Sequence, residues 1–190
     1  SLPRPGGNIT GLTVVQADLT AKAIEIFKEA LPQAKRLGVI FSPAAPSYRP
    51  TLSAVEAAAA SLKLEVRPVP VQGAADFEHA FMTLSQAGAD GFFVSASALT
   101  LSERAILAEL GLKYRLPGMF GARDNVVAGG LMSYSPDAGD LTQRAAIYID
   151  KILRGSEPSN LPVEQSSRYL LVINLKTAKA LGFAFPPVML

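Results

Sequence analysis

Side chains able to do chemistry fall into two groups in this sequence, a sparse one suited to catalysis and a larger one suited to binding. The chain has no cysteine and a single histidine, His79. A thiolate nucleophile and a cysteine metal site are therefore excluded, and a Ser-His-Asp or His-metal site is not expected. His79 falls on a helical pattern among acids and apolar residues and is expected in a surface or structural role. Asp137 and Asp140 have the spacing of a carboxylate pair, but they open a predicted helix, where negative charge complements the dipole. Gly6 and Gly11 are spaced like the start of a phosphate loop. Leu12 and Thr13 stand where that loop needs Lys and a hydroxyl residue, so the phosphate-loop signal is negligible. The binding group consists of Ser42, Ser47 and Tyr48, then Ser95 and Ser97, then Arg123, Asp124 and Asn125, then Ser133 and Tyr134. Hydroxyls and helix N-terminal amides suit a carboxylate or another polar head. Arg123 could add a charge-assisted bond, Asp124 could meet an ammonium, and a tyrosine ring could stack on an apolar or aromatic body. Each residue also has an ordinary use in caps and turns, so a site exists only if the fold gathers them.

The elements that would gather them alternate along the chain. Residues 9–14 read as a short strand after a Pro/Gly-rich lead-in. A helix follows with Leu19, Ala23, Ile26, Phe27 and Ala30 on one stripe and Asp18 or Thr20 as its cap. Residues 37–41 form a continuous apolar strand, followed by a helix carrying Leu52, Val55, Ala59 and Leu62. Residues 64–71 read as an edge strand, because Pro68 and Pro70 cannot donate to a ladder. Asp76 is placed to cap the next helix, Gly91–Val94 and Gly118–Phe120 are short buried strands, and Ser102 is the expected cap of a helix reaching Tyr114. Phe77, Phe81, Phe92 and Phe93 read as core. Gly129 and Gly130 lead into a strand at 131–134, with Ser135 as N-cap and Pro136 as the first residue of a long helix. Leu141, Ala145, Tyr148, Ile149 and Ile152 form that helix's apolar stripe. Tyr169–Ile173 is a last strand, and Asn174 starts a short helix that Gly182 ends.

Apolar strands separated by helices imply an α/β fold with a doubly wound parallel sheet, of expected order 2-1-3-4-5. A ligand crevice then lies outside the carboxyl ends of the strands, on the loops named above. The 49% hydrophobic and 18% charged content excludes disorder. The net charge of +2 is dispersed, which argues against nucleic acid as a partner. The start at Ser1-Leu2-Pro3-Arg4-Pro5 has the look of a processed or truncated end.

Three segments together resemble one family: Arg4-Pro5-Gly6-Gly7-Asn8-Ile9-Thr10-Gly11-Leu12; residues 129–136; and Leu161-Pro162-Val163-Glu164-Gln165 followed by Leu171-Val172-Ile173-Asn174-Leu175-Lys176-Thr177-Ala178-Lys179-Ala180-Leu181-Gly182. The chain resembles the ABC-transporter substrate-binding proteins that include tryptophan-type solute receptors. The resemblance implies a type I periplasmic-binding-protein fold, with two Rossmann-like α/β lobes that close on a small polar or amino-acid-like ligand. It implies no enzyme activity, no cofactor, no metal, an ABC permease as partner, and a periplasmic or membrane-anchored extracytoplasmic location. Residues 8–12 would be the first crossover between lobes and 131–135 the second. Residues 8–133 would make a complete ligand-binding lobe, and 134–190 a crossover plus C-terminal elements belonging partly to a first lobe that is largely missing. The stripe from Leu141 to Ile152 would then be exposed, and dimerisation or swapping through it is expected. Two loops depart from the family. Ser95-Ala96-Ser97-Ala98 stands where Pro and aromatic residues are common, and Arg123-Asp124 stands where Arg-Glu is common, so no relative's ligand carries over. An effector-binding domain of a repressor-like regulator is the alternative reading, and an α/β enzyme acting on a small metabolite is a further one.

Overall fold

The computed structural model describes residues 2–189. In chain order the elements are β1 (Leu12–Thr13), α1 (Gln16–Ala30), β2 (Arg36–Phe41), α2 (Tyr48–Ser61), β3 (Glu65–Pro70), α3 (Asp76–Gln86), β4 (Gly91–Val94), α4 (Ala98–Ser102), α5 (Arg104–Lys113), β5 (Gly118–Phe120), α6 (Arg123–Val127), β6 (Met132–Pro136), α7 (Ala138–Leu153), β7 (Glu164–Gln165), β8 (Tyr169–Ile173) and α8 (Leu175–Leu181). No helix among the described residues is long and apolar enough to cross a membrane. The chain divides into two compact units. The smaller takes the residues up to Val15 together with Pro136–Leu170, and the larger takes Gln16–Ser135 and the segment from Leu171 onward. The backbone thus passes between units three times.

The larger unit is built on a six-stranded sheet of order β3-β2-β4-β5-β6-β8. Numbered within the sheet, this is 2-1-3-4-5 with a sixth strand beside the fifth. The pairs β2–β3, β2–β4, β4–β5 and β5–β6 are all parallel. β4 and β5 are buried along their whole length, as strands covered on both faces must be. Alternation sends neighbouring side chains to opposite faces. Phe93, Leu37 and Val39 pack with Ile24, Phe27 and Val55 of α1 and α2. Phe92, Val94 and Ile40 pack with Phe77, Phe81 and Leu84 of α3 and Leu107 of α5. β3, carrying Pro68 and Pro70, lies at the sheet edge as its prolines require.

Several starts differ from the sequence expectation. α1 begins at Gln16, which puts Asp18 in its first turn rather than at the cap. The strand expected at 9–14 shrinks to Leu12–Thr13, with Gly11 at φ 151° and Ile9 76% exposed just ahead of it. Ser102 is the last residue of α4, not the start of a helix. The helix reaching Lys113, α5, follows Glu103, which makes no side-chain cap bond; the hydroxyl cap in this stretch is that of α4, at Ser97, whose hydroxyl accepts from Thr100 N while the Thr100 hydroxyl accepts from Ser97 N. Asp76 Oδ2 accepts from Gln72 N and Gly73 N rather than capping α3. Ser135 and Pro136 stay in β6, and Asp137 caps α7 in their place, accepting from Gly139 N and Asp140 N. A carboxylate at this position adds charge complementarity to the bond itself. Asn174 caps α8 and Gly182, at φ 67°, ends it, both as predicted.

In the smaller unit β1 and β7 form a two-stranded parallel sheet. Thr10 Oγ1 donates to Leu161 O (2.7 Å) and Tyr148 Oη donates to Pro162 O (2.6 Å). Arg144 bridges Asp140 (3.1 Å) and Glu164 (3.0 Å), tying α7 to β7. Burial and then the Glu164 carboxylate push the Tyr148 phenol above its ordinary range. A groove of about 250 Å³ runs along α7 beside β1, lined by Thr10, Gly11, Leu12, Ala145, Tyr148, Ile149 and Ile152.

Candidate functional site

Within the larger unit, register fixes what meets what. Ile40 pairs with Val94, Val94 with Phe120, and Phe120 with Ser133. One residue further on, Phe41, Ser95, Gly121 and Tyr134 follow these in the chain, so the loops after β2, β4, β5 and β6 open on one edge of the sheet. With strands about 4.8 Å apart, β2 and β6 are separated by three steps, roughly 14 Å. The loops after β4 and β5 touch: Gly121 N donates to Val94 O at 2.9 Å, and a Cβ on Gly121 would lie 2.8 Å from Ala96 N. Only glycine allows that approach. Asn125 Nδ2 reaches Thr100 O at 3.1 Å, joining α6 to α4 beneath this edge.

The predicted residues occupy different states there. Ser42 is buried at 5% exposure, and its carbonyl accepts from Ala45 N while its hydroxyl makes no bond among the described residues. Ser47 precedes α2 but makes no side-chain cap bond. Tyr48 stacks on Phe41, with centroids 5.8 Å apart and planes 11° from parallel. The Ser95 carbonyl accepts from Thr100 Oγ1, whereas the Ser97 hydroxyl is spent on its helix cap. Arg123 and Asp124 open α6, both exposed; neither makes an ion pair or side-chain hydrogen bond among the described residues. Ser133 is fully buried, and its hydroxyl has no partner among the described residues. Tyr134 is half-buried against the core under α1 and α2. Buried polar groups are normally paired, so Ser133 marks a place where stability is given up at the strand end.

The residue that sequence reasoning missed is Arg49. Its Nε donates to Tyr48 Oη at 2.8 Å and its guanidinium carbon lies 5.7 Å from the Tyr48 ring centroid. The bond to Tyr48 raises an already high arginine pKa, so the group is a cation throughout. Its adjacency to Tyr48 in the sequence was the available signal. His79 is exposed on α3, on a different element from all of these. Among the described residues no three His, Cys, Asp or Glu side chains are grouped to hold a metal. The edge offers hydroxyls, amides, two cations and one carboxylate, which can bind and orient but assemble no base with a nucleophile.

A doubly wound sheet with such an edge, in a chain that passes three times between two units, has the type I periplasmic-binding-protein architecture. The chain belongs to the ABC transporter substrate binding protein family, whose sequence profile matches residues 1–190. A tyrosine-binding protein of Clostridioides difficile (strain R20291) is 24% identical over 182 residues, covering 95% of this chain and 52% of the relative. A conserved domain protein of Vibrio cholerae O1 biovar El Tor superposes with a TM-score of 0.88 at 24% identity, over 99% of this chain and 62% of that one. The ABC domain from Streptococcus pneumonia in complex with L-Trp gives 0.86 at 24% identity, over 99% and 64%. This chain therefore spans about half the length of the curated relative and under two thirds of these solved chains.

Proposed function

We propose that this chain is the ligand-binding portion of an extracytoplasmic solute receptor that delivers a small polar or amino-acid-like compound to an ABC permease. The observation that carries the reading is the set of unspent groups at the carboxyl edge of the six-stranded sheet: the Ser42 and Ser133 hydroxyls and the Arg123 and Asp124 charges. An amino acid has one carboxylate and one ammonium, and this edge holds donors for the first and Asp124 for the second. A tyrosine-binding relative and a relative in complex with L-Trp support that ligand class. Ligand contacts made only in a closed arrangement of two lobes would shift the population toward it, with the three chain crossings as hinge. In this reading the chain is non-catalytic and needs no cofactor.

The test is a titration of the purified 190-residue chain with L-tyrosine, L-tryptophan, other amino acids and aromatic acids, read by thermal shift and calorimetry. Saturable binding that raises the melting temperature is expected. Binding that survives simultaneous Arg123→Ala and Asp124→Ala substitution would remove this edge from the ligand contacts.

A further inference from the structure

We infer that Arg49 is a specificity-determining residue that selects ligands bearing a carboxylate. The inference rests on the ligand reading of the carboxyl edge just given, and it adds a residue that reading did not use. Several arginines in the chain are occupied. Arg67 pairs with Glu65, Arg144 with Asp140 and Glu164, Arg154 with Asp150, and Arg168 with Asp137. Arg104 donates to the Leu101 carbonyl. Arg49 forms no ion pair among the described residues, and its one hydrogen bond goes from Nε to a phenol oxygen. The first turn of α2 contains no acid that could neutralise it.

Two contacts nevertheless restrain it. Phe41 ends β2 and packs against the buried core, Tyr48 stacks on Phe41 nearly parallel, and Arg49 is held against Tyr48 by both the Nε bond and the ring. This chain of contacts fastens a mobile side chain to the end of a buried strand. Of the five guanidinium donors, the Nη groups stay unused, and their paired N–H bonds match the two oxygens of a carboxylate. Ser42, a buried residue whose hydroxyl makes no bond among the described residues, lies in the β2–α2 connection just ahead of Tyr48 and Arg49. Holding an arginine in place removes rotamer entropy that binding would otherwise cost. A lysine could not reproduce this arrangement, because an ammonium supplies charge without the planar fork.

Three probes separate carboxylate recognition from general support of the site: L-tyrosine, 3-(4-hydroxyphenyl)propionate, which keeps the carboxylate without the ammonium, and tyramine, which keeps the ammonium without the carboxylate. Each is titrated by calorimetry into the wild-type chain and into Arg49→Ala, Arg49→Lys and Tyr48→Phe. Arg49→Ala is expected to weaken both carboxylate probes about tenfold or more and to leave tyramine unchanged. Arg49→Lys should recover part of that loss, and the loss should shrink as salt is raised. Tyr48→Phe, which keeps the ring and deletes the oxygen, should cost less than Arg49→Ala. Equal weakening of tyramine would show that Arg49 only props Tyr48 and would overturn the inference. So would unchanged carboxylate affinity in Arg49→Ala; if Ser133→Ala then still weakened the probes, the ligand reading would stand and Arg49 alone would be withdrawn. A wild-type chain that bound none of the three would overturn both.

Discussion

Ser133 shows most directly how this chain gives up stability at a candidate contact point. Its hydroxyl is fully buried and unpaired among the described residues, a state that costs roughly 1–3 kcal/mol. Ser133→Ala removes the oxygen and leaves a small void, so urea unfolding of the free protein should show a gain of about 1 kcal/mol. The same variant should bind ligand more weakly, and a gain in stability with unchanged affinity would reassign Ser133 to the core. Tyr148 is the opposite case, a buried phenol that is satisfied. Tyr148→Phe loses the bond to Pro162 and should cost about 1 kcal/mol, seen as faster amide exchange in β1 and β7. The pH dependence follows from the sign of its shift. Burial and Glu164 raise the folded phenol above its reference of 10.0, so the folded state holds this proton more tightly than the unfolded one. That contribution is complete below pH 10 and is lost as pH climbs through the folded value. The wild-type smaller unit should therefore weaken in alkali more than Tyr148→Phe does, and parallel curves would contradict the assignment.

At the scale of elements, caps and close contacts decide where structure begins. Asp137 accepts two backbone N–H groups at the start of α7 and pairs with Arg168, so Asp137→Ala should destabilise by about 1 kcal/mol. Circular dichroism during thermal unfolding would check this. Gly91 is tighter still. A Cβ there would meet the Pro117 carbonyl at 2.6 Å and Phe27 at 2.8 Å, and because the carbonyl belongs to the β4–β5 ladder it cannot move cheaply. Gly91→Ala should cost about 1–3 kcal/mol by overpacking, measured as a lowered urea midpoint. The strands were legible in the sequence because burial on both faces leaves continuous apolar runs such as Leu37–Ile40 and Gly91–Val94. The prolines of β3 announced its edge position in the same way. Helix starts were less legible, since Ser, Thr and Asp are crowded near each one and local composition does not say which side chain turns back. Asp137 won over Ser135 at α7, and Glu103 took the place expected of Ser102 at α5, through geometry that only the folded backbone supplies. The loops of the candidate edge were placed correctly by the parallel-sheet rule, yet whether each serine was spent or free was invisible. Ser97 and Ser133 look alike in sequence and end in opposite states. Arg49 escaped because its role depends on a stack between Phe41 and Tyr48 that no spacing rule predicts.

For the whole molecule, the two units differ in how completely they bury their own apolar surface. The larger closes helices over both faces of its sheet. The smaller has a two-stranded sheet, with an open edge on each strand, and one helix whose stripe is only partly covered. Tyr148 is buried, but Ile149 is 58% and Leu153 81% exposed on adjoining positions of α7. Two-stranded sheets are marginal alone, and contiguous exposed apolar surface marks a contact face. We propose that in the 190-residue chain a second copy covers this face, by docking or by exchange of β1 or α7. A face of this kind needs to bury about 1,000 Å² in total to give a stable dimer. Sedimentation velocity should show a dimer forming as protein concentration is raised, and Ile149→Lys with Leu153→Lys should return it to monomer. Both positions are exposed and lie outside the larger unit, so ligand titrations of the double variant should match the wild type. A chain that stayed monomeric at every concentration would leave the α7 face without a self-partner. Loss of ligand binding in the double variant would instead join this face to the function of the carboxyl edge.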